Sequence, residues 1–230
     1  MGKAKRLKQQ RRKVPPPVSK RGGRNQQGLP MLWIAVAAVV IVAVVLGVVL
    51  SRSHSSTRRT VARPITAGLA GVQTTKAPWA PEYGHLSDRL APLGLDALTQ
   101  EGAAEHIHSH LDVFVLGKHL VVPARIGIND NAYITEVHTH DTSGVIHVES
   151  PSRQTFVLGQ FFGAWGVRLT SECLGGYCGA KRNRLQVFVN GKPTSTPPWQ
   201  IPLRAHEEIA VVFGKLASAI PSVYNFPAGE

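Results

Sequence analysis

The sequence lacks the signatures that announce the commonest chemistries. It holds no Gly-rich phosphate loop, no Gly-x-Ser-x-Gly, and no Ser/His/Asp order above chance. The motif-level grounds for a phosphate-cradling or serine-nucleophile enzyme are therefore absent. Acidic residues are missing from positions 1–30, where ten Lys and Arg stand instead. That stretch has no apolar periodicity, cannot bury enough surface to offset its ordering entropy, and is expected to be a disordered tail. Charge is missing altogether from the twenty residues Met31 to Leu50. Cysteine is reduced to Cys173 and Cys178 in CLGGYC.

These gaps define the organisation. At about 1.5 Å per residue, 31–50 spans roughly the 30 Å of a bilayer core and predicts one transmembrane helix. The run is longer than a secretory h-region and leads into Ser51-Arg52-Ser53-His54 with no convincing cleavage site, so it is expected to be an uncleaved signal anchor. Ten basic residues precede it and four Arg follow it at 52, 58, 59 and 63. That bias predicts a cytoplasmic N-terminus, a single pass through the plasma membrane and an extracytoplasmic C-terminal domain. The net charge of +12 belongs to the tail: from residue 77 onward there are 11 basic and 14 acidic residues, net −3. The expected contacts of the tail are the lipid bilayer and its anionic headgroups, in preference to nucleic acid.

Residues 51–80, rich in Ser, Thr, Arg, Ala and Pro, are expected to form a stalk or linker. Residues 81–103 read as a short helical lead-in, with Leu86, Leu90 and Leu93 at i, i+4, i+7. The globular domain is expected over 104–215, with 216–230 as a loose tail. Within the domain, 106–116 alternates, with a turn at Gly117-Lys118. Residues 133–140 and 145–150 suggest a hairpin around Asp141–Gly144. Leu158, Phe161, Phe162 and Trp165 mark one helix that Gly166 stops, and Leu185–Val189 and Glu208–Phe213 close the domain as strands. The expected class is α+β, a small mixed or antiparallel sheet with one packing helix, for which a β-grasp-like layout is one candidate.

Seven of the ten histidines fall between 106 and 147. Side chains alternate along a strand, so His106, His108 and His110 share one face, and His138 and His140 share another. If 141–144 is the hairpin loop, 140 and 145 pair first, His138 faces His147, and Glu136 faces Glu149. Opposed carboxylates repel unless a cation lies between them. Imidazoles at i and i+2 can converge on one ion, but three in a row extend over about 13 Å, so two of His106, His108 and His110, or two adjacent sites, are expected. Nitrogen and oxygen donors favour zinc or copper over calcium or magnesium. The competing readings are a proton-responsive or hydrogen-bonded His network and a plain solvated face. Cys173 and Cys178, outside the cytoplasm, are expected to form a disulfide, with Cu(I) thiolate ligation as the alternative.

The stretches EHIHSHLDVFVLGK, VHTHDTSGVIHVESPSRQTFVLGQFFGAWG and LQVFVNGK…IPLRAHEEIAVVFG resemble a family of bacterial membrane-anchored, His-rich domains, frequent in actinobacteria, to which no activity is assigned. The resemblance covers roughly 85–214 and implies that 104–214 is one structural unit, without a mechanism. The functional expectation is an extracytoplasmic Zn- or Cu-binding domain for metal capture, delivery or sensing. Its rivals are a zinc-dependent hydrolase with Glu149 or Glu136 as general base, and a non-catalytic module that binds an envelope protein partner.

Overall fold

The computed structural model describes residues 66–129, 132–179, 183–215 and 219–230. The basic tail, the apolar run 31–50 and stalk residues 51–65 lie outside them. Among the described residues no helix is long and apolar enough to cross a membrane.

The domain is α+β. Helix α1 is Leu86–Leu93 and α2 is Leu158–Trp165. The strands are β1 (Ala97–Leu98), β2 (Glu105–Val115), β3 (Lys118–Leu120), β4 (Ile128–Asn129), β5 (Tyr133–Thr135), β6 (Val137–His138), β7 (Val145–Ser150), β8 (Cys173–Leu174), β9 (Tyr177–Cys178), β10 (Leu185–Val189), β11 (Lys192–Pro193) and β12 (Glu208–Phe213). The main sheet is mixed, ordered β11-β10-β12-β2-β7-β6, with β3 also on β2. Its centre is the parallel pair β2–β12, and its other pairings are antiparallel. Strands β1, β5 and β4 form a second sheet, and β8–β9 a hairpin closed by the Cys173–Cys178 disulfide. With both sulfurs bonded to each other, no thiolate is left for Cu(I).

Local chemistry sets these elements. Asn190 and Gly191 both take positive φ, the primed turn that matches strand twist, and join β10 to β11. Gly166 ends α2 in the left-handed conformation. The guanidinium of Arg89, fully buried, caps the same helix end by donating to the carbonyls of Gly163 (2.8 Å) and Ala164 (3.3 Å), and it pairs with Glu82. The odd apolar residues of β2, with Val137, Ile146, Val148, Leu185, Val187, Ile209, Val211 and Phe213 of β6, β7, β10 and β12, meet α1 and α2 in one core with Phe161, Phe162 and Trp165, while Phe114, Phe188, Ala210 and Val212 form a separate cluster.

Two boundaries differ from expectation. Residues 66–80, expected in the stalk, pack on the domain. Trp79 is buried, edge-on to Trp165 and Tyr177, and Thr66 Oγ1 donates to the Leu169 carbonyl. A large indole supplies apolar area that a Ser/Thr-rich composition hides. Residues 219–230 form no helix or strand, yet they are not loose. Tyr224 stacks on His110, Ile220 packs on Phe114, Phe188, Ala210 and Val212, and the Glu230 backbone oxygen accepts from His206 Nε2.

Candidate metal centre

The even residues of β2 point away from α1 and α2, and their register fixes their neighbours. His106 lies opposite Glu149, His108 opposite His147, and His110 opposite Val145. On the far side of β7, His138 lies opposite His147. Four rings therefore meet at one end of this face. Centroid separations are 4.5 Å for His108–His147, 5.3 Å for His138–His147, 4.4 Å for His140–His147 and 4.8 Å for His138–His140. The face is only partly solvated: His108, His138, His147 and Glu149 are buried, with His138 inaccessible, while His106 and His140 are exposed.

The hairpin differs from its expected form. The β6–β7 ladder contains only Val137↔Val148 and His138↔His147, so 140 and 145 do not pair. Thr139 explains the break. Its hydroxyl donates to the Pro123 carbonyl (2.8 Å) and accepts from the Ile126 amide (3.1 Å), which pins the chain to the 123–126 loop. His140 leaves the strand and still places Nε2 3.2 Å from Nε2 of His138. Glu136 keeps its register, since its carbonyl accepts from the Glu149 amide (2.8 Å). Its Oε2, however, accepts from the Asp96 amide at 2.8 Å, and Glu136 belongs to none of the potential ligand groups.

Among the described residues three groups bring donor atoms to within 4.8 Å of one another: His138, His140, His147 and Glu149; His106, His108 and Glu149; and His110, Asp112 and Glu208. The first has the strongest chemistry. His138 Nδ1 lies 2.9 Å from the Thr135 carbonyl, which can only accept. Nδ1 therefore carries the proton and Nε2 offers its lone pair to the cluster, the outer-shell arrangement that orients metal-binding imidazoles. Burial, which outweighs the nearby Glu149 charge, pushes the pKa of His138 down to about 3. Burial, with the neighbouring His147 and His106, takes His108 down to about 4. Both rings are neutral at pH 7 and able to ligate. Burial pushes the Glu149 carboxyl up, but the His147 hydrogen bond and the surrounding histidines hold it below its ordinary value. With His138 neutral, imidazole rather than imidazolium faces that carboxylate. Its Oε2 is buried without a hydrogen-bond partner, 4.0 Å from His138 Nε2. A cation among these atoms would satisfy the oxygen and the lone pairs together.

The third group is a different object. His110 Nδ1 lies 2.6 Å from Glu208 Oε2 and its Nε2 lies 2.9 Å from the Ser143 carbonyl. Both partners accept, so both ring nitrogens donate and none is left for a metal. Burial pushes His110 down, but the contact and charge of Glu208 with the Ser143 carbonyl outweigh it and raise its pKa. The Tyr224 ring covers the imidazolium at a centroid distance of 3.8 Å. Of the three histidines on β2, then, His106 and His108 join the cluster and His110 does not. Glu208 had no signal in the local sequence, because only the parallel β2–β12 pairing brings it to His110. Glu101, 3.5 Å from His140, is likewise placed by a loop.

No family model, curated protein or solved structure matches this chain.

Proposed function

We propose that the chain is a membrane-anchored protein whose extracytoplasmic domain binds a divalent zinc or copper ion for capture, delivery or sensing. The carrying observation is the convergence of His138, His140, His147 and Glu149 on one point, three of the four buried, with an orphaned carboxylate oxygen among the imidazoles. Three imidazoles and a carboxylate fill a tetrahedron, which suits holding an ion better than activating water at an open position. The hydrolase reading has less support. Glu149 stands inside the ligand group, and Glu136 accepts from a backbone amide instead of facing a water site. The anchor rests on the uncharged run 31–50 and the basic bias before it. The fold reads as β-grasp-like: the first and last long strands, β2 and β12, are central and parallel, and α2 lies between the outer strands β7 and β10 in sequence.

Two measurements test this. Titration of Zn²⁺ and Cu²⁺ into the metal-stripped full-length protein should show uptake at micromolar levels or below, and no uptake of either ion overturns the metal reading. A reporter fused after Glu230 should be active only outside the cytoplasm, and cytoplasmic activity reverses the topology.

A further inference from the structure

Glu149 belongs to two ligand groups, and its Oε1 stands where they meet. Oε2 faces His138 Nε2 at 4.0 Å. Oε1 lies 3.5 Å from His106 Nε2 and 3.3 Å from His147 Nδ1. Donors bonded to one tetrahedral ion at 2.0–2.1 Å stand about 3.3 Å apart, so the two gaps at Oε1 have the length of ligand edges, the His147 contact being a hydrogen bond in the absence of an ion. Every ion-pair partner that the described residues give this buried carboxylate is a histidine. The second group is built by the ladder itself. His106 is the direct partner of Glu149, and His108 follows one pleat along the same face, its ring 5.0 Å from that of His106. One carboxylate with histidines on both flanks has the form of a bridge.

We propose that Glu149 bridges two divalent transition-metal ions: one among His138, His140 and His147, and a second held by His106 and His108. The inference rests on the metal reading above and extends it. A carboxylate bridge sets such ions about 3.5–4 Å apart. The second ion has three protein ligands and so keeps an open position for water or an exogenous anion. Its ligand His106 has a side chain 52 % exposed, whereas His138 is inaccessible. His140 in the other group is 45 % exposed, so solvent reaches both stations; with one protein ligand fewer, the His106 station binds its ion more weakly and exchanges it faster than the four-ligand one.

The test uses the full-length protein in detergent, stripped with a chelator and titrated with Zn²⁺, with bound metal counted by mass spectrometry after dialysis. Wild type should bind two equivalents in two steps. His106→Gln, a replacement at a half-exposed position, should weaken the second step at least about tenfold, since even outer-shell partners are worth 10–100-fold, and leave the first unchanged. Glu149→Gln should weaken both steps. Two equivalents of Cu²⁺ should give an electron paramagnetic resonance spectrum broadened or diminished by coupling between neighbouring ions, while one equivalent gives an isolated signal. One equivalent in wild type, lost in His138→Ala, overturns the second site and leaves the first standing. Two equivalents retained in His106→Gln, or uncoupled copper at full loading, also overturn the bridge. No uptake by wild type overturns the metal reading itself.

Discussion

The two ends of the histidine face lie along the even positions of one strand, β2, and they are chemically opposite. At the His110 end both ring nitrogens are spent on Glu208 and the Ser143 carbonyl, and Tyr224 lies over the ring. At the His138 end the nitrogens turn toward one another and toward a carboxylate with an unpartnered oxygen. A histidine becomes a structural cation where acceptors surround it. It becomes a potential ligand where another imidazole or an orphaned carboxylate is its neighbour. Residue type and spacing do not separate these outcomes; the second nitrogen's partner does.

The comparison can be broken from either side. The largest expected effect is at the closed end. Glu208→Ala leaves a buried imidazolium without its anion and should cost about 3 kcal/mol of stability in chemical denaturation, with metal uptake unchanged within about twofold. At the other end, His138→Ala or His147→Ala should lower metal affinity by about 100-fold, roughly 2.7 kcal/mol. Uptake by His147→Ala equal to wild type would remove the cross-strand pair from the site. Acid should separate the ends by sign. His108 and His138 titrate at about 4 and about 3 in the folded state, below the ordinary 6.5. As pH falls through 6.5 the unfolded chain takes up their protons first, so they destabilise the metal-free protein from there down to their folded values. His110 is raised, so its contribution is fully present below 6.5 and is lost as pH rises through its folded pKa. The net loss between pH 7 and 5 should be at most about 3 kcal/mol, read by denaturant unfolding at each pH. It should flatten in a His108→Gln/His138→Gln variant and steepen in His110→Gln. The smallest effect is expected at His85, whose ring pairs with Glu82 away from the cluster. His85→Ala should leave metal uptake unchanged within about twofold.

The parity of 106–110 and the facing of His138 and His147 were legible because alternation and a short loop are local properties. The disulfide was legible from two cysteines five positions apart. The rest depended on contacts that no window contains. Glu208 meets His110 across 98 residues through a parallel pairing. Glu136 bonds to Asp96, forty residues earlier. Thr139 breaks the strand because a separate loop offers it a carbonyl and an amide. The burial of His108, His138, His147 and Glu149 was equally hidden, since it depends on what packs over the sheet.

Strand β2 acts as a ruler for this chemistry. Its even positions mark stations about 6.7 Å apart: His106 at the solvent-reached end, His108 against the cluster, His110 in the closed pair, and Asp112 beside His119. A ruler fixes which lengths of insertion the chain can bear. One residue added between His106 and His110 would turn the histidines beyond it into the core and bring Leu111 and Val113 to the metal face. Two residues added would keep every side chain on its face but move each residue beyond them one station along, so that the ring meant for Glu208 would stand at the position of Asp112 instead. Length variation in relatives that keep this chemistry should therefore collect in the loops and be absent from 106–112, which a comparison of their strand lengths would check.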